Sequence, residues 1–463
     1  MVEALRKRRQ SNIVRVEAAL EESAKNFLIK KLEFSQDKIS PTPSWFDLKT
    51  ISGLAYQPLF QELRLPLWRP RPTPDFEVPN EMWDVLKKKD VWIHLPYESF
   101  DAVDNFVAQA ATDPDVLAIK MTLYRVGQDS SIVQSLEKAA EKGKRVSVLV
   151  ELKARFDEEK NITWARRLEN AGASVIYGVV GFKTHAKVCL VVRREPEGIK
   201  RYIHLSTGNY NEKTAQLYSD IGYFTTDEAL ANDITVFFNM VTGFSQPMAL
   251  SKLIVAPYSL RRRLKRLIHR ETLRSTPEKP GLIIAKMNSL VDPEMIEVLY
   301  QASKAGVQIK LHVRGICRLR PGIKDLSENI EVVSTVDMFL EHSRIFYFQN
   351  GGDDEIYLSS ADWMPRNLDR RIEIMFPVDD AVIKKDLLEL LKLYFKDNVK
   401  SWSLEPDGSY KKIESSHEKK FRIQQYLCEK TLEKEKQLKK IVSGELKPQK
   451  PNYKEKFGQL TSL

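Results

Sequence analysis

Residues 116–124 read VLAIKMTLY and residues 146–152 read VSVLVEL, two apolar runs of strand length. Between them lies SIVQSLEKAAEKG, 131–143, which predicts a helix stopped by a glycine. A second helix, ITWARRLENAG, and a further strand, SVIYGVV, follow. Alternation of this kind predicts a sheet with helical crossovers. The pattern then returns. LIIAKMNSL at 282–290 predicts a strand, PEMIEVLYQASKAG a helix stopped by Gly306, and VQIKLHV a strand. With Gly143 set on Gly306, a shift of 163, Val146, Val148 and Val150 fall on Ile309, Leu311 and Val313, and Arg155 on Arg318. A period this long means tandem domains of one architecture rather than a solenoid.

The flanks differ from this body. NIVRVEA predicts a short strand and EESAKNFLIKKLEF an amphipathic helix. The stretch 66–79, PLWRPRPTPDFEVP, carries five prolines, which deny both a helix and a central strand and mark a linker. From about 415 the chain reads as a Lys- and Glu-rich helix, with a disordered tail after it. The expected division is 1–72 before and including the linker, 73–252 and 253–437 as the two domains, and 438–463 as tail.

Composition narrows the function classes. The chain is 42% hydrophobic and 29% charged, which suits cored domains in water, and no apolar run approaches a transmembrane segment. Its first residues, MVEALRKRRQ, lack the apolar stretch of a signal peptide. Cys189, Cys317 and Cys428 are far apart and form no C-x-x-C, so neither a disulfide framework nor a zinc site is expected. A cytoplasmic place follows, peripheral attachment to a membrane included. The net charge of +10 favours a polyanionic partner. No nucleic-acid reader motif accompanies it, so nucleic acid is not the expected partner.

The candidate chemistry begins at 181–192, GFKTHAKVCLVV. On a strand, His185 and Lys187 point the same way, and the chain after them is aliphatic. A lone H-x-K is most simply a structural histidine beside a solvated lysine. Here the pattern recurs as His342 and Arg344, 157 residues later. Each pair is followed by a small-residue turn, STGNYN at 206–211 and SSADW at 359–363, then by an acid before an apolar strand, Asp220 or Glu373. Two sets in register argue against coincidence. A neutral imidazole attacks phosphorus near pH 7, Lys187 and Arg344 would hold phosphate oxygens, and a carboxylate on the far ring nitrogen would fix the tautomer. The expected pairs, each within its own repeat, are His185–Asp220 and His342–Glu373. More cations lie at strand ends and in the loops after them: Lys120, Arg125, Lys153, Arg155, Arg314, Arg318, Arg370 and Arg371. The run SLRRRLKRLIHR at 259–270 differs. Its Leu260, Leu264, Leu267 and Ile268 have helical spacing, which predicts an amphipathic helix with a solvated basic face.

At IKMTLYRVGQDSSIV, ELKARFDEEKNITWARRLENAG, VIYGVVGFKTHAK, STGNYNEKTAQLYSD, HVRGIC and NGGDDEIYLSSADWMPRNLDRRIE the chain resembles the histidine-phosphorylating polyphosphate kinase family, over about residues 90–415. The resemblance implies an α/β fold class of two tandem phospholipase D-like domains, preceded by part of the family's helical domain. It implies reversible transfer of the ATP γ-phosphate to inorganic polyphosphate through a phosphohistidine on His185, with Mg²⁺ and with ATP and ADP as substrates. His342 becomes the second catalytic histidine, and Tyr218, Arg314 and His342 the nucleotide contacts. Arg125 and Arg155 belong to the family's magnesium–phosphate site. A guanidinium has no lone pair for a metal, so they are read as holding phosphate oxygens that bind Mg²⁺. Lys187, Arg344, Arg370 and Arg371 are the other phosphate-binding candidates. The family's N-terminal domain, which helps cover adenine, and the front of its helical domain, which contributes to a homo-oligomer, are not matched here. GICRLRPGIKDLSENI looks slightly shortened, with Arg318 where a small residue is expected. Two other readings stand beside this one. A phospholipase D-type phosphodiesterase usually wants an acid four residues beyond Lys187, where VCLVV has none. A catalytically silent polyanion-binding chain would keep the fold without the chemistry.

Overall fold

The computed structural model describes residues 16–17, 19–32, 39–40, 53–54, 57–77, 82–124, 130–151, 158–179, 181–243, 249–414 and 419–445. The chain divides into two compact units, 1–67 and 68–463. In the first, strands β1 (Val16–Glu17) and β2 (Ile39–Ser40) pair in parallel, and the predicted amphipathic helix runs Glu22–Leu32. In the second, residues 68–77 of the proline-rich stretch are extended chain with a short 3₁₀ turn at Pro74–Phe76.

The second unit holds two sheets built to one plan. The first contains β3 (Val91–Leu95), β4 (Val116–Leu123), β5 (Arg145–Val150), β6 (Ser174–Tyr177), β8 (Val188–Glu195), β9 (Gly198–Ser206) and β10 (Tyr218–Thr225), with β7 (Lys183–Thr184) leaving for the other sheet. Its order is β6-β5-β4-β8-β9-β10-β3. The second contains β11 (Ile254–Ala256), β12 (Leu282–Met287), β13 (Gln308–Val313), β14 (Ile330–Thr335), β16 (Arg344–Phe348), β17 (Glu355–Ser359) and β18 (Arg371–Pro377) in the order β14-β13-β12-β16-β17-β18-β11. Here β15 (Leu340–Glu341) leaves for the first sheet, while β19 (Ser401–Leu404) and β20 (Tyr410–Lys412) extend the β14 edge. In both sheets three strands run parallel, joined by helical crossovers except between β13 and β14, where no helix intervenes, and the rest are antiparallel. The expected duplication is therefore present strand for strand.

Strand alternation makes three apolar layers. Cys189, Val191 and Tyr202 face the helices Asp101–Thr112 and Ser131–Glu141. Leu190, Ile203, Leu205 and Ile221 face Ile345, Leu358, Ile372 and Ile374 of the other sheet. Phe346, Phe348, Tyr357 and Met375 face the helices Leu260–Arg274 and Pro293–Lys304. Each fully buried aliphatic of the middle layer contributes roughly 1.5–3 kcal/mol, so the two sheets form one cored body. The C-terminal helix runs Ile423–Glu445, further than the division at 437 anticipates.

The glycine stops are as predicted. Gly143 and Gly306 sit at φ +79° and +83°, and a Cβ at either would meet no atom nearer than 3.9 Å. Their cost on substitution is thus purely conformational. Gly143→Ala and Gly306→Ala are each expected to destabilise by about 1–2 kcal/mol, measured by urea unfolding, with no change in the folded spectrum.

Candidate active site

The two strands that leave their own sheets create the centre. β7 pairs in parallel with β18, Lys183 opposite Arg371 and Thr184 opposite Ile372. β15 pairs in parallel with β10, Leu340 opposite Tyr218 and Glu341 opposite Ser219. Just beyond each pairing stands a histidine. The N–H groups of His185 and Ala186 both donate to the Ile372 carbonyl, at 2.9 Å each. Those of His342 and Ser343 donate to the Ser219 carbonyl at 3.2 and 2.7 Å. Regular strand β8 begins only at Val188, so His185 and Lys187 lie on a connecting segment rather than on the strand itself.

This crossing corrects the expected pairing. His185 Nδ1 lies 2.9 Å from Glu373 Oε2, and His342 Nδ1 lies 2.8 Å from Asp220 Oδ2. Each imidazole meets the acid of the other repeat. Spacing within a repeat could not reveal this, because the exchange depends on how the two sheets face one another.

The turns brace the acids. Thr207 Oγ1 donates to Asp220 Oδ1 at 2.6 Å, and Ser360 Oγ to Glu373 Oε2 at 2.6 Å. Both hydroxyls also accept a strand N–H, from Ile221 and Ile374 respectively, at 3.0 Å. Asn367 Nδ2 donates to Glu373 Oε1 at 2.7 Å. The hydroxyls of these turns thus hold the carboxylates. A Cβ on Gly208 would lie 2.2 Å from Asp220 Oδ2, so the shorter acid requires glycine there. The longer Glu373 leaves room for Ala361 at the corresponding place.

Burial and the cations Lys187, Arg371 and Arg344 hold the His185 pKa well below the ordinary imidazole value. It is therefore neutral at pH 7, with Glu373 fixing its proton on Nδ1 and leaving Nε2 to react. Burial and Arg344 likewise lower His342, against Asp220. Burial works to raise Asp220, but His342, Arg344 and Thr207 bring it below the usual carboxylate range.

The two cations differ. Arg344 is committed: Nη2 and Nε meet Asp362 at 2.7 and 3.2 Å. At the position matching Asp362 the first repeat has neutral Asn209, whose buried Oδ1 finds no hydrogen-bond partner among the described residues. Lys187 is 1% exposed, donates to the His185 carbonyl and lies 5.8 Å from the Tyr124 ring centroid. Burial brings its pKa down to about 7. Among the described residues its ammonium donates to a carbonyl rather than to a carboxylate.

Of the other predicted residues, Tyr218 packs its ring 5.2 Å from that of His342. Arg314 reaches the same side through Asn288, whose N–H donates to Asp362 Oδ1. Arg371 lies 3.7 Å from Glu373 Oε1. Arg370 is exposed at the end of the helix Pro365–Arg370 and makes no hydrogen bond to the histidines. Lys120 stacks on Phe238 and is spent in packing, and Arg318 lies between the Leu290 backbone and solvent. Arg125, Lys153 and Arg155 lie outside the described residues.

Sequence reasoning missed Tyr124, edge-on to His185 at 5.0 Å, and a buried network behind His342. There Lys286 Nζ meets Ser343 Oγ at 2.8 Å and Glu341 Oε2 at 2.9 Å, so one ammonium grips both neighbours of the histidine. Tyr394 and Gln424 complete the Glu341 shell at 2.8 Å each. The lone signal was a lysine inside the apolar run LIIAKM.

A duplicated α/β body with one histidine from each repeat, each oriented by a carboxylate and flanked by a cation, defines a two-histidine protein of tandem α/β domains. The comparisons go further. Residues 81–247 match the model of polyphosphate kinase C-terminal domain 1, and residues 253–424 that of C-terminal domain 2. The chain belongs to the polyphosphate kinase family. It is 48% identical to a polyphosphate kinase of Rhodopirellula baltica over 98% of this chain and 53% of that one. It is 54% identical to one of Synechocystis sp. over 71% and 46%. The crystal structure of polyphosphate kinase from Porphyromonas gingivalis superposes with a TM-score of 0.82 at 35% identity, covering 90% of this chain and 64% of that one. The chain thus spans about half the length of the curated relatives it matches.

The crossing has a direct spectroscopic check. Glu373→Gln is expected to shift the imidazole ¹⁵N signals of His185, and Asp220→Asn those of His342. The reverse assignment would contradict the geometry. Lys187 supplies a second check. Above pH 7 a bound anion must bring a proton to it, so affinity for tripolyphosphate is expected to fall by up to about tenfold per pH unit there. Lys187→Arg should flatten that slope in a calorimetric titration.

Proposed function

We propose that this chain transfers the γ-phosphate of ATP reversibly to inorganic polyphosphate, with His185 as the carrier. The observation that carries the reading is a neutral, buried imidazole oriented by Glu373 beside an uncommitted ammonium. Nε2 of His185 attacks the γ-phosphorus; an N–P bond forms, the bond to the β-phosphate oxygen breaks and ADP leaves. A terminal oxygen of the polyphosphate chain then attacks the phosphohistidine, the N–P bond breaks and the chain is longer by one phosphate. Lys187 holds the transferring phosphoryl group. His342, kept in place by Asp220 and Arg344, faces the nucleotide phosphates, with Tyr218 and Arg314 on the nucleotide side. Arg371 is placed for the polyphosphate chain and Arg370 for its outer reach.

Magnesium fits this reading as a phosphate-borne ion. Among the described residues no three His, Cys, Asp or Glu side chains gather as a ligand set. Arginines offer a metal no lone pair, so Mg²⁺ would be held by nucleotide oxygens and would supply charge neutralisation there. Among the described residues no helix is long and apolar enough to cross a membrane. The phosphodiesterase reading is less well supported: the positions four residues beyond Lys187 and Arg344 are Val191 and Phe348, both in the apolar core.

The test is incubation with γ-labelled ATP and Mg²⁺, scoring acid-labile, alkali-stable label on the protein and polyphosphate in solution. Label is expected in the unaltered chain and none in His185→Ala. Glu373→Gln should slow labelling by about a hundredfold or more. Because the His185 pKa is lowered, labelling should persist below the ordinary imidazole value of about 6.5. Bound ATP without label would overturn the reading.

A further inference from the structure

The helix Leu260–Arg274 buries Leu260, Leu264, Leu267 and Ile268, as its spacing predicts. Its basic residues are not all alike. Arg261 is held by Asp292 and Asp369, Lys265 by Glu294, Arg263 by the Tyr357 hydroxyl and Arg270 by Glu355. Arg262, Arg266 and His269 are exposed, and among the described residues none of them meets a carboxylate. They stand at i, i+4 and i+7, one face of the helix, with the two guanidiniums' backbone positions about 6 Å apart along the axis. A solvated basic face would ordinarily carry interspersed acids; this one sends its acid contacts to the flanks and keeps a bare ridge.

The ridge overlooks open space on both sides. A cleft of about 540 Å³ lies between it and Pro257, Tyr258 and Val298. Another of about 580 Å³, also bordered by Tyr258, Arg262 and Arg266, lies towards Met240 and Leu250. One wall of the clefts is built by a chain segment that also packs beside the centre. Ala256, two residues before Tyr258, pairs with Glu373, and the Tyr258 ring sits 6.5 Å from that of Phe182, three residues before His185. Arg261 also ties this helix to Asp369, the neighbour of exposed Arg370.

We propose that the ridge Arg262–Arg266–His269, with its flanking clefts, is an outer subsite for inorganic polyphosphate. It holds the chain beyond the end that reacts at His185. The substrate is that of the phosphotransfer reading, on which the proposal rests. An extended polyanion fits the geometry, because evenly spaced donors without paired acceptors recognise repeated charge rather than a particular shape.

The test is binding, so it does not depend on turnover. The full chain and its Arg262→Ala/Arg266→Ala/His269→Ala variant are titrated with long-chain polyphosphate and with tripolyphosphate over a series of salt concentrations. The variant is expected to bind long chains more weakly, with the slope of log affinity against log salt shallower by about one to two. Tripolyphosphate affinity should be unchanged, and Arg262→Lys/Arg266→Lys should restore the slope. Equal long-chain affinity and slope in the triple variant would overturn the proposal. So would a loss confined to vesicles of phosphatidylglycerol in phosphatidylcholine, which would make the ridge a membrane face. Absence of label on His185 would overturn the phosphotransfer reading while leaving the binding result to stand alone.

Discussion

Two carbonyl oxygens, those of Ile372 and Ser219, set the geometry of the centre. Each accepts a pair of N–H groups from the opposite repeat and fixes where a histidine stands. A net hydrogen bond contributes about 0.5–1.5 kcal/mol, too little to hold two sheets together. The apolar layer between the sheets supplies adhesion, which is non-directional, and the carbonyls supply register, which apolar contact cannot. Removing either would leave a different failure: parted halves in one case, misaimed imidazoles in the other.

On this symmetric frame the chain has placed unequal parts. Arg344 is neutralised by Asp362, while the first repeat carries neutral Asn209 at the position matching Asp362. Thr122 and Lys286 hold corresponding strand positions, since Leu149 and His312 across from them differ by the repeat shift. Thr122 fastens the backbone around Lys187 by bonds to the Ala186 carbonyl and the Val188 N–H. Lys286 does the equivalent work around His342 with a buried ion pair. Among the described residues the first repeat leaves Lys187 outside any ion pair, and the second ties Lys286 into one.

Much of this was legible in the residues. The apolar runs, the glycine stops and the repeated H-x-K and H-x-R gave the duplicated α/β plan and the two histidines, because periodicity and left-handed caps are local properties. The partners of those histidines were not. Asp220 and Glu373 could be named as the acids, yet which imidazole each serves depends on contacts between residues more than a hundred positions apart. Thr207, Ser360 and Asp362 lay inside turns that were noticed for their small size, and their hydroxyl and carboxylate roles appear only once the strands beside them are in place. The basic helix was read correctly as amphipathic, but the sequence could not separate the three unpaired side chains from those spent on neighbours.

The exchange of short strands also bears on how competence is acquired. Neither repeat can orient its own imidazole, so a first repeat that has emerged and folded alone holds Glu151 against Thr184 but has no Glu373. Contacts of such long sequence separation close late, because their loop entropy is met only after the local sheets exist. The two histidine–carboxylate pairs therefore form only at the last stage of tertiary assembly. In a half-made molecule neither imidazole has its carboxylate, and the geometry of the centre arrives whole or not at all.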